Sequence, residues 1–192
     1  MTDYSRFLEG VDDVEPTFGF SNDPLPKGQY PMDVVGIQEQ GESKGGVPFA
    51  KAQLKVTEGP FKGRVVFESL YFGAAATKRE KDGDGYVDVA RTEEEWTKAN
   101  RGALGRAQGW VKALGLSHGD DKSDPFAYFS VGQWQGCKVM CELSVQNDQN
   151  RVQAFASVED SKKGLSAWRE NVLPKQLKAK AGAAAGGAAT SL

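Results

Sequence analysis

From Val47 to Thr57 the side chains alternate without a break: Ala50, Ala52, Leu54 and Val56 fall on one side, Phe49, Lys51, Gln53 and Lys55 on the other. Successive side chains of a strand point to opposite faces. The pattern therefore predicts a strand with one face in a core and the other basic, with an aromatic ring. Four further runs read as strands. Gln29–Gln38 precedes the first, with Pro31 near its start and Gly36 marking a bulge or sharp bend, and the polar stretch Glu39–Gly46 is the turn between them. Arg64–Phe72 (RVVFESLYF), rich in β-branched and aromatic residues, follows the tight connection Glu58-Gly59-Pro60-Phe61-Lys62-Gly63 and completes a three-stranded meander. Gly136–Val145 and Arg151–Val158 flank the turn Gln146–Asn150 as a hairpin. In its second strand, Val152, Ala154, Ala156 and Val158 are expected on one face, and Arg151, Gln153, Phe155 and Ser157 on the other.

A helical period takes over after Thr92. Thr92 and Glu95 have capping-box spacing, Trp96, Ala99, Ala103, Ala107, Trp110 and Leu114 recur at helical intervals, and Gly115 supplies the stop. Gly102, Gly105 and Gly109 weaken this helix, but would let it lie close against a barrel floor. Pro125–Phe129 reads as a short helical turn, and residues 161–180 as a modest helix carrying Leu165, Trp168 and Leu173 that Pro174 breaks or restarts. The stretch Gly73–Arg91 is polar and charged and is expected to be a mobile loop.

The domain plan that results is an acidic, irregular arm at 1–26, a barrel at 27–160, a C-terminal helix at 161–180 and a disordered Ala/Gly tail at 181–192. Three strands, a helix and two strands is the element order of the five-stranded OB barrel, a mainly β fold with α. That fold binds its ligands on strands two and three and the adjoining loops.

Charge sharpens the picture. The net charge is only −2, but the acidic residues of the first 25 positions hide a basic stretch from Lys44 to Arg64, where Lys44, Lys51, Lys55, Lys62 and Arg64 stand against Glu58 alone. Unpaired nucleic acid requires cations that track its phosphates and exposed rings on which bases stack. Phe49, Lys51, Lys55, Arg64, Arg151 and Phe155 supply both, and Lys44, Lys62, Tyr71, Phe72 and Trp134 extend the candidate DNA-binding set. The competing reading is that Phe49 and Phe155 cover a second hydrophobic cluster and that the lysines are an ordinary solvated strand face.

Catalytic and metal chemistry find little support. Cys137 and Cys141, about 13 Å apart along a strand, are too distant for a disulfide and read as small core residues; with His118 as the only histidine, no zinc site of the usual kind assembles. Asp82, Asp84, Asp88 and Glu93 follow part of a calcium-loop pattern, but Tyr86 and Val87 occupy its fifth and sixth positions. No glycine-rich run ends as a phosphate loop does, and His118 beside Asp120 and Asp121 has no nucleophile. No catalytic residue and no cofactor is expected. The N-terminus lacks the order of a signal peptide and no run is long and apolar enough to span a bilayer, so a cytoplasmic protein with no membrane partner is expected.

The runs Leu25-Pro26-Lys27-Gly28-Gln29-Tyr30, Ser43-Lys44-Gly45-Gly46 and Leu54 to Phe67, then Gly105-Arg106, Ala113-Leu114-Gly115-Leu116 and Gly136–Val145, together resemble a tailed-phage family long of unknown function. The resemblance spans roughly residues 25–158, and Glu58–Gly63 is its most specific part. Members resemble OB-fold single-stranded DNA-binding proteins of phage replication and recombination modules. The resemblance thus implies a protein that coats phage DNA intermediates in the cytoplasm of a bacterial host, with single-stranded DNA and a phage recombinase, polymerase or helicase as partners. A homodimer through the C-terminal helix or an exposed strand edge stays open, as do two other classes: an OB-fold module that binds a host or phage replication protein, and a magnesium-dependent nuclease using carboxylates such as Glu58, Glu68 and Glu142.

Overall fold

A computed structural model describes residues 23–187, with side chains described as far as Lys180. Most of the acidic arm, Phe18 and Phe20 included, and the end of the tail lie outside these residues. The described chain is mainly β with some helices. Strands β1 (Gly28–Glu42), β2 (Pro48–Val56), β3 (Val65–Tyr71), β6 (Lys138–Gln146) and β7 (Gln149–Ala156) form one antiparallel sheet in the order β3-β2-β1-β6-β7; β4 (Thr77–Asp82) and β5 (Gly85–Ala90) form a separate hairpin. β1 is long and bends where the sequence placed glycine, at a register shift between Val34 and Gly36, with a second shift between Ile37 and Glu39. Extra residues of this kind increase local twist and let a sheet curl.

The hairpin corrects the expectation of a mobile loop at 73–91. Gly83 takes a left-handed φ of +57° at the first of its two turn positions, as a tight hairpin turn requires, and Asp82 pairs with Gly85. Asp82 and Asp84 thus serve a turn rather than a calcium-type loop.

Helix α1 (Glu93–Ala113) begins and ends as its sequence dictates. The Thr92 hydroxyl accepts from Glu95 N while the Glu95 carboxylate accepts from Thr92 N, and at the other end Gly115 (φ +73°) donates to Lys112 O and Leu116 to Val111 O. This is the reciprocal N-terminal cap and a left-handed glycine stop. Only the second half of α1 is buried, through Ala107, Trp110, Val111 and Ala113. Gly102, Gly105 and Gly109 face solvent, and a Cβ at any of them would meet nothing, so they provide no close approach to the sheet.

Two short turns follow: α2 (Pro125–Tyr128), capped by Asp124, and a 3₁₀ turn at Val131–Gln133. The C-terminal segment forms two helices, α3 (Leu165–Asn171) and α4 (Leu173–Gly187), with Pro174 in the first turn of α4, where its missing N–H costs nothing. α4 continues to Gly187, into the stretch expected to be disordered. Among the described residues, no helix is long and apolar enough to cross a membrane.

The inner face of the sheet is filled by Met32, Val34, Ala50, Ala52, Leu54, Val56, Val66, Leu70, Val139, Cys141 and Leu143, in one buried cluster with Trp110 and Trp134, whose rings meet edge to face at 5.6 Å. Leu25 belongs to this core rather than to an irregular arm: it is buried, and the Asn150 amide clamps its backbone on both sides. Cys141 is buried and Cys137 half-buried, and both thiols are free.

The sheet's two ends, β3 and β7, are joined by no backbone ladder among the described residues. Arg106 of α1 spans them instead. Its guanidinium bonds Glu68 Oε1 of β3 at 2.6 and 3.2 Å and the carbonyls of Val152 (2.6 Å) and Gln153 (3.3 Å) on β7, while lying 4.5 Å over the Phe155 ring.

Candidate nucleic-acid interface

The outer face of β2 and β3 is set by their register. Phe49 lies opposite Tyr71, Lys51 opposite Ser69, Gln53 opposite Phe67, and Lys55 opposite Val65, while Ala50, Ala52, Leu54 and Val56 are buried as their alternation predicts. Phe49 and Tyr71 stack at 5.7 Å with ring planes 30° apart, and the Lys51 ammonium sits 5.3 Å over the Phe67 ring. Phe67 and Tyr71 are 43% and 45% exposed, so both rings keep open surface after making these contacts. On β1 the residues facing Lys51 and Lys55 are Glu39 and Asp33, so acidic side chains border the lysines on that side.

Lys44 is exposed in the β1–β2 turn, at the Phe49–Tyr71 end of this face. That turn closes through Gly46 N to Ser43 O (2.9 Å) and Val47 N to Ser43 Oγ (3.2 Å).

Lys62 and Arg64 lie at the opposite end. Lys62 is exposed beside a cleft of about 290 Å³ shared with Asp33, Glu58, Lys138 and Leu165. Arg64 is half-buried and donates to the carbonyl of Asp23. Its positive charge also acts on the buried Tyr30, whose phenol burial pushes up to about 12 despite that charge.

The connection carrying Lys62 is built to dock the C-terminal helices. Gly59 has φ +84°, and a Cβ there would come within 3.1 Å of Trp168 and 3.2 Å of Leu173. Glu58 pairs with Arg169 at 2.6 Å, and these hydrogen bonds, ahead of charge, hold its carboxyl below the usual range. The most specific run of the sequence thus has a packing role.

Four candidates are not on the face. Phe72, just past β3, is 7% exposed and packs among Phe126, Phe129 and Trp134; Trp134 is fully buried and donates its indole N–H to Phe129 O at 2.9 Å. Phe72 differs from Tyr71 by one position, which on a strand means the opposite face. Phe155 is half-buried, edge-on to Trp110 at 4.9 Å and under Arg106. The cause is a bulge: Leu143 pairs with Val152 and Glu142 with Ala154, so Gln153 is extra and every later side chain of β7 changes side. Arg151, before the bulge, remains exposed near the β6–β7 turn, outside the β2–β3 face.

Two residues of weight escape a reading of the pattern alone. Phe67 has the same parity as Tyr71 in β3, a signal obscured because the intervening inward position is Glu68. That glutamate is 8% exposed, and burial raises its carboxyl above the usual range, with Arg106 as the main opposing influence. Nothing local in RVVFESLYF announces that a helix 38 residues on will supply its partner. The chain matches no protein-family model and no curated protein.

Proposed function

We propose that the chain is an OB-type barrel that binds single-stranded DNA on the outer face of β2 and β3, as a binding protein rather than an enzyme. The strand order β3-β2-β1-β6-β7, with helix α1 between the third and fourth sheet strands and Arg106 bridging the two sheet ends, supports the barrel reading. The observation that carries the function is the ring pair Phe49–Tyr71 with Phe67 beneath Lys51: open aromatic surface and cations on one strand face, with no inward role left for them. Each base stacked on such a ring contributes about 1 to 3 kcal/mol, largely independently of sequence.

The working assignment is Phe49, Phe67 and Tyr71 as stacking platforms and Lys51, Lys55 and Lys44 as phosphate contacts. The resemblance to phage single-stranded DNA-binding proteins supports a role in coating replication or recombination intermediates in a bacterial cytoplasm. Glu39 and Asp33 beside the lysines favour one second reading, a face that binds a replication protein with its own positive charge.

Anisotropy titration of a labelled single strand, its duplex and the matched RNA, at two salt concentrations, separates the two. The expected result is salt-weakened, single-strand-selective binding that falls about tenfold or more in Lys51→Ala/Lys55→Ala. No binding to any nucleic acid at low salt would instead favour the protein partner.

A further inference from the structure

The β4–β5 hairpin takes no part in the core, yet it is held firmly at its base. Ala74 N donates to Asn100 Oδ1 (3.1 Å), Trp96 Nε1 to Ala74 O (3.0 Å), Arg91 N to Ala76 O (2.8 Å), and Lys78 pairs with both Glu80 and Glu95. Its root starts two residues after Tyr71 and touches the β1–β2 turn, since a Cβ on Gly45 would stand 3.0 Å from Ala75 Cβ. The hairpin therefore leaves the molecule at the Phe49–Tyr71 end of the face.

Its register sorts its side chains. Lys78 and Glu80, opposite Val89 and Val87, fall on the side tied to α1, whereas Arg79 and Lys81, opposite Asp88 and Tyr86, fall on the other. There Tyr86 is 63% exposed, with the Arg79 guanidinium 5.2 Å over its ring. This repeats, on a second sheet, the pairing of cation and open ring seen at Lys51 and Phe67.

We propose that the outer side of this hairpin is a second contact station for the same single strand, with Tyr86 as a stacking ring and Arg79 and Lys81 as phosphate contacts, engaged only by strands long enough to pass beyond the Phe49–Tyr71 pair. It rests on the reading of the β2–β3 face as the primary site. Six residues of strand extend the track by about 20 Å. Like charge complementarity, continuity with the face favours nucleic acid over protein as its occupant.

The test compares Arg79→Ala/Lys81→Ala/Tyr86→Ala with Lys51→Ala/Phe67→Ala, on oligodeoxythymidylates from about 4 to about 16 nucleotides, the range of known barrel sites. The hairpin variant should bind the shortest strands as the wild type does and lose about tenfold on the longest. Its plot of log affinity against log salt should be shallower by about 1.4, for two cations at about 0.7 each. Wild-type binding by the hairpin variant at every length, with the face variant impaired, would overturn the second station and leave the primary site standing. Loss in the hairpin variant alone would overturn the β2–β3 reading, and loss of all binding in the wild type would remove both.

Discussion

Phe67 and Phe72 are five residues apart and have opposite surroundings, the first under a lysine at the surface, the second among three aromatic rings in the core. Replacing each with alanine should separate binding from stability. Phe72→Ala should cost about 3 to 5 kcal/mol of unfolding free energy, as buried rings do. Phe67→Ala should change stability by no more than about 0.5 kcal/mol and weaken single-strand binding by about 1 to 3 kcal/mol. Denaturant unfolding and anisotropy read the two quantities; a stability loss at Phe67 as large as at Phe72 would contradict the exposed assignment.

Glu68 gives a pH dependence at the same scale. Burial raises its carboxyl in the folded chain, so the fold holds its proton to higher pH than the unfolded chain does. The stability this group contributes is complete below the ordinary carboxylate range and is lost as pH rises through the raised value. The unfolding free energy of the wild type minus that of Glu68→Gln should therefore fall as pH rises through and above the ordinary carboxylate range. A difference that is flat or rises over this range would contradict the shift.

At the scale of elements, local rules predicted ends better than faces. The Thr92–Glu95 cap, the Gly115 stop, the Gly36 bulge and the restart at Pro174 were all legible because each depends on neighbours in sequence. The faces of β7 were not, since one extra residue at Gln153 moved Phe155 from the predicted outer side to the core. The β4–β5 hairpin was missed because β4 is almost wholly charged and β5 is short and exposed, and its support comes from α1 through Glu95, Trp96 and Asn100.

The α1 glycines offer a test of what helix packing uses. With solvent on all three, Gly105→Ala and Gly109→Ala should each stabilise the protein by about 0.5 to 1 kcal/mol through backbone entropy. Destabilisation in thermal or denaturant unfolding would mean that they pack closely after all. Arg106 is the opposite case. Arg106→Met leaves Glu68 and two strand carbonyls without their donor and should cost about 2 to 3 kcal/mol. Adding Glu68→Leu should recover part of that loss, and a double mutant whose cost is the sum of the two singles would show that the pair is not coupled.

For the whole molecule, the β1-β2-β3 meander, the β6-β7 hairpin and the buried face of β2 followed from alternation and turn chemistry, while the bridge between the two ends of the sheet did not. A guanidinium from α1 bonds both a buried glutamate of β3 and a carbonyl of β7, a long-range pairing that no periodicity encodes. Of the candidate binding residues, Phe49, Lys51, Lys55, Tyr71 and Lys44 gather on or beside one face; Lys62 and Arg64 sit at its far end, and Phe72, Trp134 and Phe155 belong to the interior. That division makes the binding claim local. Photocrosslinking a bromodeoxyuridine-substituted single strand to the protein, followed by mass spectrometry of the linked peptides, reads the contact surface directly. The account predicts crosslinks at Phe49, Phe67 and Tyr71. Crosslinks confined to the α3 and α4 side, or none under conditions of saturating strand, would contradict it.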